Sequence, residues 1–111
     1  VLEINENDFK TIDAEKAVVV KFFVSWCGDC KRSYDFEDEL ENKYKESYSF
    51  YKINADNNSS FSKGLDVRGY PSYLIFKKGE NTAFLHSKWA KAFNEVCNFL
   101  DKNLEQPYSM R

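Results

Sequence analysis

Ala17-Val18-Val19-Val20-Lys21-Phe22-Phe23-Val24-Ser25-Trp26-Cys27-Gly28-Asp29-Cys30-Lys31-Arg32 decides how this chain folds. Its first half is rich in β-branched residues and apolar at every position but Lys21. A run that is apolar on both faces belongs in a strand buried on both sides of a sheet. The second half turns polar and carries two cysteines. Beyond it, Phe36, Leu40 and Tyr44 recur at helical spacing, with Glu37, Asp38, Glu41 and Asn42 elsewhere on the turn. The cysteines therefore stand at a strand-to-helix junction.

Working outward, Asn7-Asp8 ahead of Phe9, Ile12 and Ala14 reads as a short capped helix. On the other side, Tyr48 to Asn54 reads as a second strand, completing a β-α-β unit. The polar run Asp56-Asn57-Asn58-Ser59-Ser60 caps a short helix reaching about Leu65. After the turn Arg68-Gly69-Tyr70-Pro71, Ser72 to Phe76 is strand-like, Lys78-Gly79 makes a tight turn and Thr82 to Ser87 returns as a hairpin partner. A last helix is expected from Trp89 to Leu104, with Phe93, Val96, Cys97 and Leu100 on one face. Gln106-Pro107 ends it before a short tail, residues 105–111. The pattern predicts an α/β domain over residues 1–111, its central mixed sheet flanked by helices and parallel in its first half.

Composition narrows the function. With 111 residues, 42% of them hydrophobic, the chain has the apolar mass for one compact core. Its 16 Lys+Arg against 18 Asp+Glu include no basic block able to follow a phosphate backbone, so nucleic acid is not an expected partner. The apolar runs on either side of Lys21 are far too short to span a bilayer, and no membrane is expected. A multi-disulfide secreted scaffold needs more than three cysteines. No signal peptide opens the chain, which points to the cytoplasm; an extracytoplasmic place follows if a leader was removed before Val1.

A C-x-x-C pair carries redox or metal chemistry. In disulfide exchange the attacking species is a thiolate, which needs exposure and nearby positive charge. A helix N-terminus offers unpaired N–H groups and the positive end of a dipole to Cys27, and Lys31 and Arg32 add charge in the first turn. Cys27 is then the nucleophile. Cys30, one turn on, is placed to attack a mixed disulfide on Cys27 and release the reduced substrate.

These residues resemble the thioredoxin family: Val18-Val19-Val20, Phe22-Phe23, Trp26-Cys27-Gly28-Asp29-Cys30-Lys31, then Arg68-Gly69-Tyr70-Pro71-Ser72 and Phe76-Lys77-Lys78-Gly79-Glu80. The resemblance implies the thioredoxin fold and a thiol-disulfide oxidoreductase, foremost one that reduces protein disulfides through Cys27 and Cys30. It also implies a cis peptide bond before Pro71, with Tyr70 and Pro71 binding an extended substrate segment. The partners so implied are disulfide-containing proteins and a thioredoxin-reductase-type electron donor. No cofactor is bound, NADPH enters only through that reductase, and the domain works as a monomer.

Four positions depart from the family pattern. Asp29 replaces the usual proline or histidine; a carboxylate beside both sulfurs disfavours their thiolates and favours the disulfide, or else it serves the helix N-terminus. Lys21 stands where the family carries a buried carboxylate that relays the proton of the resolving cysteine. Lys52 matches the family lysine that faces that carboxylate, so two lysines would repel each other unless one turns to solvent or finds an acid from the following helix. A buried lysine can also act as a base toward Cys30. Third, Asp35 replaces the proline that kinks the long helix, which predicts a straighter one. Tyr70 is bulkier than the residue usual before the cis-proline, which narrows the range of substrates.

Other features have ordinary readings. Cys97 is expected in the core, and a Cys3His zinc site from Cys27, Cys30, His86 and Cys97 lacks paired ligand spacing in its second half. The acidic run Asp35 to Glu41 reads as a solvated face. Trp26 either shields the sulfurs and meets substrate or simply packs. Two further functions remain open on sequence: an oxidase or isomerase of exported proteins, and a non-catalytic binding module on the same fold.

Overall fold

The structure, a computed structural model, describes residues 1–104. The expected tail at 105–111 lies outside the described residues. Five strands form one sheet in the order β1-β3-β2-β4-β5, comprising β1 (Leu2–Ile4), β2 (Ala17–Phe23), β3 (Tyr48–Asn54), β4 (Ser72–Lys77) and β5 (Glu80–Leu85). The helices are α1 (Glu6–Lys10), α2 (Gly28–Arg32), α3 (Tyr34–Tyr44), α4 (Ser59–Gly64) and α5 (Phe93–Leu104).

β2 lies at the centre because its side chains are buried on both faces. It pairs in parallel with β3 and antiparallel with β4, and β1 adds a parallel edge strand on β3. Its alternating side chains feed two cores. Val19 packs with Leu40 and Tyr44 of α3 and Val96 and Leu100 of α5. Val18, Val20 and Phe22 pack on the opposite face with Phe9 and Phe61 from α1 and α4. Loops from both faces thus converge where β2 ends, just before the cysteines.

Several expected boundaries shift for local reasons. The first helix starts from Asn5, whose side chain and that of Asp8 exchange hydrogen bonds with each other's backbone N–H in a capping box. The last helix begins at Phe93; Trp89 instead closes a 3-10 turn, Ser87–Trp89. Strand β1 is short and alternates too little to be visible as a pattern.

The helix after the cysteines is interrupted at Ser33 despite lacking the family's proline. The Ser33 hydroxyl donates to the Cys30 carbonyl at 2.8 Å, while the buried Lys21 Nζ donates to Ser33 Oγ at 2.6 Å and approaches the same carbonyl at 3.4 Å. Side-chain donors that occupy a helical carbonyl bend the helix there. The break falls where Ser33 and Lys21 occupy the Cys30 carbonyl, and the expectation of a straighter helix is corrected.

Candidate active site

Cys27 is the N-cap residue of α2, and its extended backbone brings its sulfur back over the first turn. The Sγ accepts the Cys30 N–H at 3.3 Å. On its other side the Cys27 thiol donates to the Tyr70 carbonyl at 3.4 Å. The Tyr70-Pro71 peptide is cis, and Pro71 is buried. Cys27 is half-buried, whereas Cys30 is fully buried, and both are free thiols. Burial, then the hydrogen bond with Cys27, pushes the Cys30 thiol up to about 12; the Val24 backbone and the charge of Lys21 act in the opposite direction.

Trp26 is 70% exposed beside Cys27, held by an indole N–H to Asp56 at 2.9 Å and an edge contact with the Tyr70 ring, centroids 6.4 Å apart. Its ring therefore borders Cys27 on the open side instead of filling the core. Surface hollows of about 430 Å³ beside Phe9, Ile12 and Phe76 and about 440 Å³ beside Leu65, Arg68 and His86 include neither cysteine.

Asp29 does not stand over the sulfurs as an uncompensated charge. Its carboxylate pairs with Arg32 one turn on and with Lys91 at 3.4 Å. Two cations answer one carboxylate, and Asp29 also sits in the first turn of α2, where a negative charge suits the dipole. This geometry suits the helix-terminus reading of Asp29.

The two lysines resolve their repulsion through one acid. Lys21 and Lys52 are register partners on β2 and β3 and point to the same face. Glu37 of α3 lies between them, with Lys21 Nζ 2.5 Å from Oε2 and Lys52 Nζ 2.9 Å from Oε1. Both ammonium groups also lie over the Tyr34 ring, at 4.9 and 4.7 Å from its centroid. Neither turns fully to solvent: Lys21 is 2% exposed and Lys52 19%. Desolvation lowers the Lys21 pKa, and Glu37 partly restores it. The sequence pattern places Glu37 in a solvated face and does not mark Ser33, yet both are buried. The available signal was that Glu37, Leu40 and Tyr44 follow one another at i, i+3 and i+7 and are the buried residues of α3.

The remaining candidates are dispersed. Cys97 packs in the core and accepts a long hydrogen bond from Lys43 at 3.8 Å. His86 is exposed and caps the 3-10 turn through the Lys88 N–H. Among the described residues no three His, Cys, Asp or Glu side chains gather as a metal would require. No described helix is long and apolar enough to cross a membrane.

Two thiols one helical turn apart, one open to solvent and one sealed beneath it, form a dithiol/disulfide couple that carries two electrons without a bound cofactor. Comparison with known proteins agrees. The Thioredoxin family model matches residues 1–102. A thioredoxin of Acidithiobacillus ferridurans is 30% identical over 106 residues, covering 94% of this chain and 96% of its own. Thioredoxin M4, chloroplastic, of Arabidopsis thaliana is 32% identical over 71% of this chain and 41% of its own length. Protein disulfide-isomerase 1 of Caenorhabditis elegans is 36% identical over 76% of this chain and 18% of its own. The chain thus spans nearly all of the bacterial relative and less than half of the other two. It belongs to the thioredoxin family, a family of thiol-disulfide oxidoreductases.

Proposed function

We propose that this domain reduces disulfides in other proteins, with Cys27 as nucleophile and Cys30 as resolving thiol. The observation that carries the reading is the position of the Cys27 sulfur, half-buried and held between the Cys30 N–H and the Tyr70 carbonyl. Negative charge on that sulfur meets a backbone donor, and the neighbouring Tyr70 backbone is where an extended substrate would lie. Trp26 supplies an apolar wall. Tyr70 and Pro71 position the target disulfide, and the bulk of Tyr70 restricts which ones fit.

Attack by Cys27 on a substrate disulfide forms a mixed disulfide and releases one substrate thiol. Cys30 then displaces the second, leaving a Cys27–Cys30 disulfide. A thioredoxin-reductase-type donor restores the dithiol; NADPH is consumed by that enzyme and not here. A reducing compartment such as the cytoplasm suits this direction, and the domain acts as a monomer. Insulin provides the test. The reduced domain is expected to cleave insulin disulfides, Cys27→Ser to abolish cleavage, and Cys30→Ser to trap insulin covalently on Cys27. Turnover by Cys27→Ser equal to that of the unmodified domain would overturn the assignment.

A further inference from the structure

We infer that Lys21, held by Glu37 and Ser33, is the positioning residue of the resolving step, its buried ammonium favouring the Cys30 thiolate over the thiol. The inference rests on Cys30 being the resolving cysteine. Three placements carry it. Lys21 Nζ is fixed by Glu37 Oε2 at 2.5 Å and Ser33 Oγ at 2.6 Å, and it lies 3.4 Å from the carbonyl of Cys30 itself. Glu37 serves two lysines with one negative charge, so the cluster holds one cation in excess. Lys52 is partly exposed and has water as an alternative partner, whereas Lys21 is 2% exposed and has none. Ionisation of Cys30 supplies the negative charge this buried cluster lacks.

The groups facing Cys30 come from every neighbouring element: Cys27 at the N-cap, Lys21 on β2, Tyr34 on α3, Tyr70 in the turn before β4 and Tyr73 on β4. Glu37 and Lys52 act on Lys21. Among those facing Cys30, Lys21 is the buried cation. In the step it assists, the Cys30 thiol gives its proton to water and the thiolate attacks Cys27 Sγ. The Cys27–Cys30 bond forms as the bond from Cys27 to the substrate sulfur breaks. The departing electron pair leaves as substrate thiolate, which takes a proton from water, so the dithiol is oxidised by two electrons and the substrate disulfide reduced.

Stopped-flow reaction of the reduced domain with a chromogenic aryl disulfide separates the two steps. Release of the first aryl thiol by Cys27 depends on reagent concentration, and release of the second by Cys30 does not. Lys21→Met is expected to slow the concentration-independent phase about tenfold at neutral pH and to displace its pH profile upward by about one unit. The concentration-dependent phase is expected to stay unchanged. Lys21→Gln keeps a hydrogen-bonding group for Ser33 and Glu37 without the charge and is expected to behave like Lys21→Met. A slow phase and pH profile identical to those of the unmodified domain in either folded variant would overturn the role of Lys21. Absence of any concentration-independent release from the unmodified domain would instead overturn the assignment of Cys30.

Discussion

Replacing Glu37 by glutamine isolates the energetics of the buried ion cluster. The substitution keeps the shape of the side chain and removes the one carboxylate that answers both Lys21 and Lys52. Lys52, 19% exposed, can reorient its ammonium toward water. Lys21, 2% exposed and held among β2, α2 and α3, keeps only uncharged partners, Ser33 Oγ, the Cys30 carbonyl and the Tyr34 ring. Leaving one buried charge unanswered costs about 3–5 kcal/mol, a large share of the roughly 5–15 kcal/mol by which a domain is stable. Lys21→Met should cost less than half as much, because Glu37 retains Lys52 at 2.9 Å. The deficit of Glu37→Gln should also shrink as pH rises. Desolvation lowers the pKa of Lys21 in the folded protein, so the orphaned lysine sheds its proton there before the unfolded chain does at its ordinary 10.5. Urea denaturation of the oxidised protein at several pH values measures each quantity. A loss below about 1 kcal/mol for Glu37→Gln, or an equal loss for Lys21→Met, would refute the argument that Glu37 neutralises a charge with no other outlet.

Two other perturbations probe the site. Burial raises the Cys30 thiol from 9.0 to about 12, so the folded reduced protein keeps a proton that the unfolded chain has lost. Its stability relative to the disulfide form should be constant below about pH 9 and fall as pH climbs toward about 12; parallel denaturation curves for the two redox forms across that window would contradict this. Gly69 lies against the 3-10 turn so closely that a Cβ there would run into Ser87 Oγ. Gly69→Ala should therefore displace the loop carrying Tyr70 and lower the rate at which Cys27 attacks protein disulfides by about tenfold, while attack on a small aryl disulfide changes little. Equal loss on both substrates would show that the loop does not select proteins.

Much of the site could be read directly because its chemistry is local. A β-branched run ending in Trp26-Cys27 fixes a buried strand and the following helix start within a few residues, and the observed β2 and α2 follow that reading. What escaped depends on contacts distant in sequence. The spacing of Glu37 from Leu40 and Tyr44 puts it on the buried stripe of α3, but a carboxylate there makes sense only once Lys21, sixteen residues earlier, is seen to need an acid. Asp29 looks like a charge beside the sulfurs until Arg32, one turn on, and Lys91, delivered by the fold, are seen to pair with it. The break at Ser33 likewise involves a distant donor, Lys21 on β2, bonded to the Ser33 hydroxyl, which no helix propensity encodes. Strand β1 is three residues long, below the length at which alternation carries a signal, and it exists because β3 offers it an edge.

The reduction potential of the Cys27/Cys30 couple, obtained by equilibration in a defined thiol/disulfide buffer and alkylation of the remaining thiols, tests the proposed direction of exchange most directly. A value of about −270 mV or lower is expected of a domain that reduces protein disulfides, whereas about −180 to −120 mV would contradict it and identify an oxidant or isomerase instead.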